Sequence, residues 1–353
     1  MKKVLAMLLC VVLVFGLVAC GGSQPTPPAA PPAAPPAGGG DAPAADPTEE
    51  TFNLRVGHNL AEDHTVHLAM LELAEMLETQ SGGTITLQIF PNSVLGSPTD
   101  MLVQVQNGAL DMVKISAASL ANFNNVYNAY SVPYLFESRE HFFTAMDSDL
   151  TQEIFASTAA DGFIGLTWLD SGSRSFYTRE TPVRHPDDLQ GLIIRTMDSP
   201  MAIRMMELLG GASMVMGFGD IYTALQQGVI DGAENNVTAL RDHGEVAPYY
   251  SFTHHTRIPD IVVIGEAIFS QMSENQQAIV RAAAHQMSIN YRAAWQAFEE
   301  EVLERVVNEF GVILIEDVDF AAFQAAVQPM WDELREAYPE VYEVVQAFSA
   351  MAR

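Results

Sequence analysis

The chain runs to 353 residues, room for two domains at about 100–200 residues each, and at 48% hydrophobic and 17% charged it is not disordered as a whole. Forty-four acidic residues against 17 basic ones give a formal charge of −27, which excludes nucleic acid as a partner and a polybasic hold on anionic lipid. Two cysteines exclude a disulfide framework and a cysteine-based zinc site.

Lys2 and Lys3 open the chain with positive charge, residues 4–18 are almost wholly apolar but short for a bilayer span, and Leu17-Val18-Ala19-Cys20 follows. That order resembles the lipobox of bacterial lipoproteins. It implies a signal peptide over residues 1–19, removed with Cys10, and a lipid on Cys20. An ordinary signal peptide with a chance cysteine is the competing reading. Residues 20–51 then read as the lipidated cysteine and a Pro/Ala-rich tether, since nine of the 19 prolines fall between positions 21 and 50. Such a stretch has few backbone donors and nothing to bury, so it extends as polyproline II at about 3.1 Å per residue. An SH3-type ligand is at odds with a location outside the cell.

The body begins near residue 52. Residues 54–58 read as a strand. Residues 65–80 read as a helix, with Val66, Ala69, Met70, Leu73, Ala74 and Leu77 on one face. Residues 84–89 alternate strictly and read as a strand, 98–107 as a helix closed by Gly108, and 111–116 as a further strand. A β-α-β-α-β order implies a parallel sheet covered by helices. The pattern restarts with strands at 192–196, 212–215 and 230–234 and helices at 200–209 and 220–227, the latter closed by Gly228. Residues 261–265 suit a buried strand, Ser273 caps a helical tract reaching about Asn308, and helices at 319–337 and 340–351 close the chain. Two α/β units behind a secretion signal fit an extracytoplasmic two-lobed clamp with its ligand between the lobes. Ligands of open α/β sheets bind at the carboxyl ends of strands. That rule singles out His58 and Asn59, Ser116, the stretch from Arg195 to Asp198, and Asn235 with Asn236.

The body also resembles a known family, the DctP-type solute-binding proteins of TRAP (tripartite ATP-independent periplasmic) transporters. The resemblance runs from about Phe52 to Trp331. It rests on Gly57-His58, Phe90-Pro91-Asn92, Leu95-Gly96, Gly108-Ala109-Leu110-Asp111-Met112, Val132-Pro133-Tyr134-Leu135-Phe136 and Asp188-Leu189-Gln190-Gly191-Leu192 leading to Arg195. Its most specific run is Gly217-Phe218-Gly219-Asp220-Ile221-Tyr222-Thr223-Ala224-Leu225-Gln226-Gln227-Gly228, continuing to Asp231-Gly232-Ala233-Glu234-Asn235. Asp220 departs from the family's usual Glu, and Ile193 from its frequent Lys. The family implies a periplasmic-binding-protein-like clamp with hinge strands and a long helix spanning both lobes. Lobe I would be residues 52–171 plus 260–299, and lobe II residues 172–259 plus 300–353. It implies partners too: a small organic acid anion, a small DctQ-type and a large DctM-type membrane subunit, and the membrane itself only through the lipid anchor. A monomer on the outer face of the membrane is expected, with no cofactor and no catalysis.

The family's signature arginine falls on Arg195, whose paired guanidinium donors match a carboxylate. Arg174, in Gly172-Ser173-Arg174-Ser175-Phe176, takes a supporting carboxylate contact by the same resemblance; a hinge role bonding backbone carbonyls is its alternative. Asn235 donates and accepts at once, Asn236 is its neighbour, and Phe218 matches a cleft-lining aromatic. His58, Asn59 and Ser116 would close over the solute from lobe I. The histidines at 58, 64, 67, 254 and 255 suggest a metal, but no supporting pattern of ligands accompanies them. Ile194-Arg195-Thr196-Met197-Asp198-Ser199 and Asn235-Asn236 look more like sugar-acid members, with Met197 and Asp198 added to the contacts. The expected solute is a hexuronate or aldonate. A C4-dicarboxylate or 2-oxo acid, a ligand-sensing lipoprotein and a surface-anchored hydrolase are the alternatives, the last lacking any nucleophile–base motif.

Overall fold

Strict alternation in Thr84-Ile85-Thr86-Leu87-Gln88-Ile89 suits a strand with one wet face, and the chain uses it at a sheet edge. The computed structural model describes residues 46 and 48–352. The expected signal peptide, Cys20 and nearly all of the tether lie outside the described residues.

Eleven strands form two sheets among the described residues: β1 (Phe52–Gly57), β2 (Ile85–Phe90), β3 (Met112–Ser116), β4 (Phe163–Leu169), β5 (Arg174–Thr178), β6 (Ile193–Thr196), β7 (Ala212–Val215), β8 (Gly232–Asn235), β9 (Tyr249–Thr256), β10 (Asp260–Gly265) and β11 (Ile313–Ile315). The first sheet has the order β2-β1-β3-β10-β4, and the second β11-β9-β5-β8-β6-β7. The first three strands are parallel, as their β-α-β-α-β order requires. Neither sheet is purely parallel, however. β10 runs antiparallel between β3 and β4, and β5 runs antiparallel between β8 and β9. The sheets therefore exchange strands: the chain passes from β4 to β5 through residues 170–173 and returns from β9 to β10 through 257–259.

Both crossings are pinned by charge. The Asp170 side chain is fully buried and accepts from Arg257 Nη2 at 3.0 Å on each oxygen, with Arg139 at 3.2 Å. Arg139 also pairs with Glu299. Gly172 sits between these groups at φ +67, where a Cβ would lie 2.2 Å from a Glu299 oxygen, so the turn admits no side chain.

The helix Glu274–Phe310 begins at a capping box on Ser273 and, at 37 residues, spans about 55 Å. Its first part, from Ile279 to Trp295, buries with the helix Thr65–Gln80 and the first sheet. Val302 and Val306 bury instead with Tyr177, Leu240 and Tyr250 of the second sheet's core, and Phe298 touches both cores. One rigid element thus belongs to both halves. Val341, Val345 and Phe348 of the last helix, Pro339–Ser349, pack with Tyr127 and Tyr130, and His141 Nε2 meets Phe348 O at 2.7 Å. The apolar face of the final helix so finds its cover on the segment Asn125–Ser131. No helix among the described residues is long and apolar enough to cross a membrane.

Candidate functional site

A cavity of about 350 Å³ opens between the two sheets, at the carboxyl ends of β3, β6 and β8. That is the low end of the range for small-ligand sites, about 300–1,000 Å³. Of the sequence-predicted residues, Asn59, Ser116, Arg174, Arg195, Met197, Asp198, Phe218, Asn235 and Asn236 all line it. His58 does not. It is fully buried behind the wall, with Nδ1 accepting from Leu60 N at 3.2 Å and Nε2 against His67 Nδ1 at 3.1 Å. Because Nδ1 is an acceptor, the proton of the neutral ring sits on Nε2 and His58 donates to His67. Burial pushes His58 down to about 3, so it supports the wall as a neutral ring instead of closing over a solute. His64 caps the helix Thr65–Gln80 through Nδ1, which accepts from Val66 N, and burial holds it near 3 too. No group of three or more His, Cys, Asp or Glu among the described residues is arranged for a metal ion.

Arg195 and Arg174 are both 5% exposed, yet their surroundings differ. Arg174 donates to Glu234 Oε2 at 2.6 Å, to Oε1 at 2.9 Å, to Glu234 O at 2.6 Å and to Asn235 Oδ1 at 2.6 Å. Four of its five donors are thereby used. Burial would raise the Glu234 carboxyl, but the Arg174 guanidinium and a hydrogen bond from His255 outweigh it and hold it at about 2. Arg195 has no carboxylate partner among the described residues. Nε and Nη2 both donate to Met216 O, at 3.0 and 2.9 Å, which fixes the plane of the guanidinium. Both N–H groups of Nη1 and one of Nη2 remain, the paired end-on set that fits a carboxylate. Burial lowers this guanidinium to about 10, so it stays charged near neutrality without a counter-ion. A buried cation in that condition is costly unless an anion joins it.

The two asparagines are half-committed. Asn235 Oδ1 accepts from Arg174 and from Asn236 N, and Asn236 Oδ1 accepts from Thr238 N and Oγ1. Their amide NH2 groups remain as donors to the cavity. Phe218 packs against His243 at 5.0 Å between ring centres. Ser116 caps the short helix Ala117–Leu120.

Sequence reasoning missed four groups. Lys114 lines the cavity from β3 and pairs with Asp260 at the start of β10, Nζ to Oδ2 at 2.9 Å. The signal was present, since a lysine inside Met112-Val113-Lys114-Ile115 interrupts an otherwise apolar strand. Glu234, the partner of Arg174, sits likewise in a buried strand. Asp63 reaches across the cleft mouth to Arg241 at 2.5 Å, and Asn122 Nδ2 to Asp198 O at 2.9 Å.

Residues 56–337 match the bacterial extracellular solute-binding protein family 7, DctP. The chain belongs to this family. A TRAP periplasmic solute-binding protein of Anaerococcus prevotii, solved with bound D-glucuronate, superposes with a TM-score of 0.82 at 39% identity, over 86% of this chain and 98% of that one. A second, from Xanthobacter autotrophicus with bound β-D-galacturonate, gives 0.81 at 34% identity, over 84% and 99%. The 2,3-diketo-L-gulonate-binding periplasmic protein YiaO of Escherichia coli is 32% identical, over 78% of this chain and 84% of YiaO. Family 7 proteins bind solutes outside the cytoplasm, and the two-lobed fold of this member is theirs.

Proposed function

We propose that this family 7 protein captures a sugar acid, a hexuronate or an aldonate, between its lobes and delivers it to the small and large membrane subunits of a TRAP transporter. The observation that carries the reading is Arg195: a buried, charged guanidinium at a strand end, without a carboxylate partner, facing a cavity of ligand size. It takes the solute carboxylate end-on. Arg174, held by Glu234, contributes its one remaining donor and fixes Asn235. Asn235, Asn236, Ser116, Asn59 and Asp198 contact hydroxyls, while Met197 and Phe218 cover apolar faces of the ring. His58 acts only through the wall. The protein binds and releases its ligand without turnover. Two solved relatives hold glucuronate and galacturonate, and a third relative is named for a diketogulonate, a sugar-derived acid, which supports a sugar acid over a C4-dicarboxylate.

Lobe I comprises 52–171 plus 260–299 and lobe II 172–259 plus 300 onward, with the last helix returning to lobe I. Cys20 carries the lipid that anchors the body through its tether. A thermal-shift screen with D-glucuronate, D-galacturonate, succinate and pyruvate tests the ligand class. A shift with either hexuronate is expected, and a shift with succinate alone refutes the reading. Transport, as against sensing, predicts genes for the two membrane subunits beside this one.

A further inference from the structure

The cavity's two walls carry different electrostatics. On the second sheet's side Arg195 is an uncompensated charge. On the first sheet's side Lys114 is 4% exposed and compensated by Asp260, whose side chain is 15% exposed. The register sets the two diagonally: Val262 of β10 lies opposite Lys114 and Asp260 opposite Ser116, so Asp260 is two residues along on the same face and the Lys114 side chain reaches across to it at 2.9 Å. Lys114 and Asp260 together present an ammonium donor and a carboxylate acceptor side by side, with no net charge. Two further groups on residues lining this cavity have no hydrogen-bond partner although they are shielded from solvent, the Oδ1 of Asn59 and the Nε1 of Trp295. A buried polar atom left in that state is served by a bound molecule or ordered water.

We propose that the Lys114–Asp260 pair reads hydroxyl groups and makes the site selective for polyhydroxy monocarboxylates against dicarboxylates. A hydroxyl both donates and accepts, so it satisfies Asp260 and Lys114 at once, and neighbouring hydroxyls of a sugar ring bring more of the same. A second carboxylate has only an acceptor face. To reach Lys114 it must lie beside the Asp260 carboxylate or displace it, and like charges at that distance repel. Selectivity thus comes from an element that repels the wrong ligand as much as from contacts with the right one. This inference rests on the sugar-acid reading and names the residues that would enforce it.

The test is titration calorimetry with D-glucuronate, D-galacturonate and succinate on the wild-type protein, Asp260→Asn and the double variant Lys114→Met/Asp260→Leu. The wild-type arm, with D-gluconate added as an aldonate, judges the sugar-acid reading alone; absence of binding by all three sugar acids there overturns that reading, and this one with it. Given wild-type binding, Asp260→Asn frees the Lys114 charge. It is expected to weaken hexuronate binding at least about tenfold and to bring succinate binding up by a similar factor. A hexuronate-to-succinate ratio unchanged from wild type overturns the proposal. If Asp260→Asn does not fold, the double variant decides. It replaces the pair by apolar groups of similar size, a change buried pairs often tolerate. Hexuronate affinity falling at least about tenfold at an unchanged unfolding temperature supports the proposal, and full retention overturns it.

Discussion

Arg174 and Arg195 lie on neighbouring parts of the same sheet, are equally buried and face the same cavity, yet they stand in opposite conditions. Arg174 is closed by Glu234 on two oxygens and a carbonyl. Arg195 is aimed by a single backbone carbonyl and otherwise left open. On the proposed function, the first belongs to the folded protein and the second to the complex. A buried ion pair contributes little net stability but is destructive to break, whereas an unpaired buried cation costs stability and gains it back on binding. Residue type alone does not separate these roles; the partner does.

Breaking the closed pair gives the largest effect. Glu234→Ala leaves Arg174 buried and uncompensated and is expected to destabilise the fold by about 3–5 kcal/mol in chemical denaturation. The double variant Arg174→Met/Glu234→Leu, which removes both charges, should recover most of that loss. A single variant as stable as wild type contradicts the assignment. The pH dependence carries the same signature. Glu234 is held at about 2 in the fold, against an ordinary glutamate value of about 4.3. Its stabilisation is therefore complete above about 4.3 and lost as pH falls from there toward 2. His58 and His64, pushed to about 3, and His243, pushed to about 4, are depressed by burial and start to cost stability already below about 6.5. That earlier loss is common to wild type and Glu234→Ala except at His255, which burial depresses and Glu234 partly restores, so the variant loses somewhat more below about 6.5 and the main change in their difference falls in the lower window.

Opening the unpaired side inverts the outcome. Arg195→Ala removes a desolvated charge and two hydrogen bonds to Met216 O, terms of opposite sign, so stability should move by no more than about 1 kcal/mol. Ligand binding should fall by about 2–5 kcal/mol, at least about thirtyfold. Calorimetry beside denaturation on the same variant checks both halves; retained affinity, or a large stability loss, reverses the roles of the two arginines.

The elements around these residues were unequally legible in the sequence. The helix Thr65–Gln80 was expected at its observed limits, and the long helix within two residues of them, because face periodicity and the Ser273 cap are local signals. The Arg195 and Asn235 strand ends were found by pattern and by family resemblance together. β4, β5, β9 and β11 were not found. Phe163-Ile164-Gly165-Leu166-Thr167-Trp168-Leu169 is buried throughout and so shows no alternation. Of Arg174-Ser175-Phe176-Tyr177-Thr178, the buried Arg174, Ser175 and Tyr177 find partners 60 and more residues away, in Glu234, His254 and His243. A strand satisfied by distant partners carries no local mark of it. For the same reason Lys114 stood visible as an oddity in its strand, but its meaning waited on Asp260, 146 residues later.

The smallest effect tests whether the open side of the comparison extends to the mouth of the cleft. Asp63, before the helix Thr65–Gln80, meets Arg241 of the helix Leu240–His243 across the two lobes. The Asp63 side chain is 74% exposed, so solvent screens the pair and its contribution to a closed state is about 0.2–1 kcal/mol. Asp63→Asn should leave the unfolding midpoint unchanged and raise the ligand dissociation constant by no more than about fivefold, chiefly through faster release. The change should shrink as salt rises, because a screened surface pair weakens with ionic strength while the buried Arg195 contact does not. A salt-independent loss of binding would place Asp63 in contact with the solute instead of between the lobes. Fluorescence stopped-flow at low and high ionic strength separates the two.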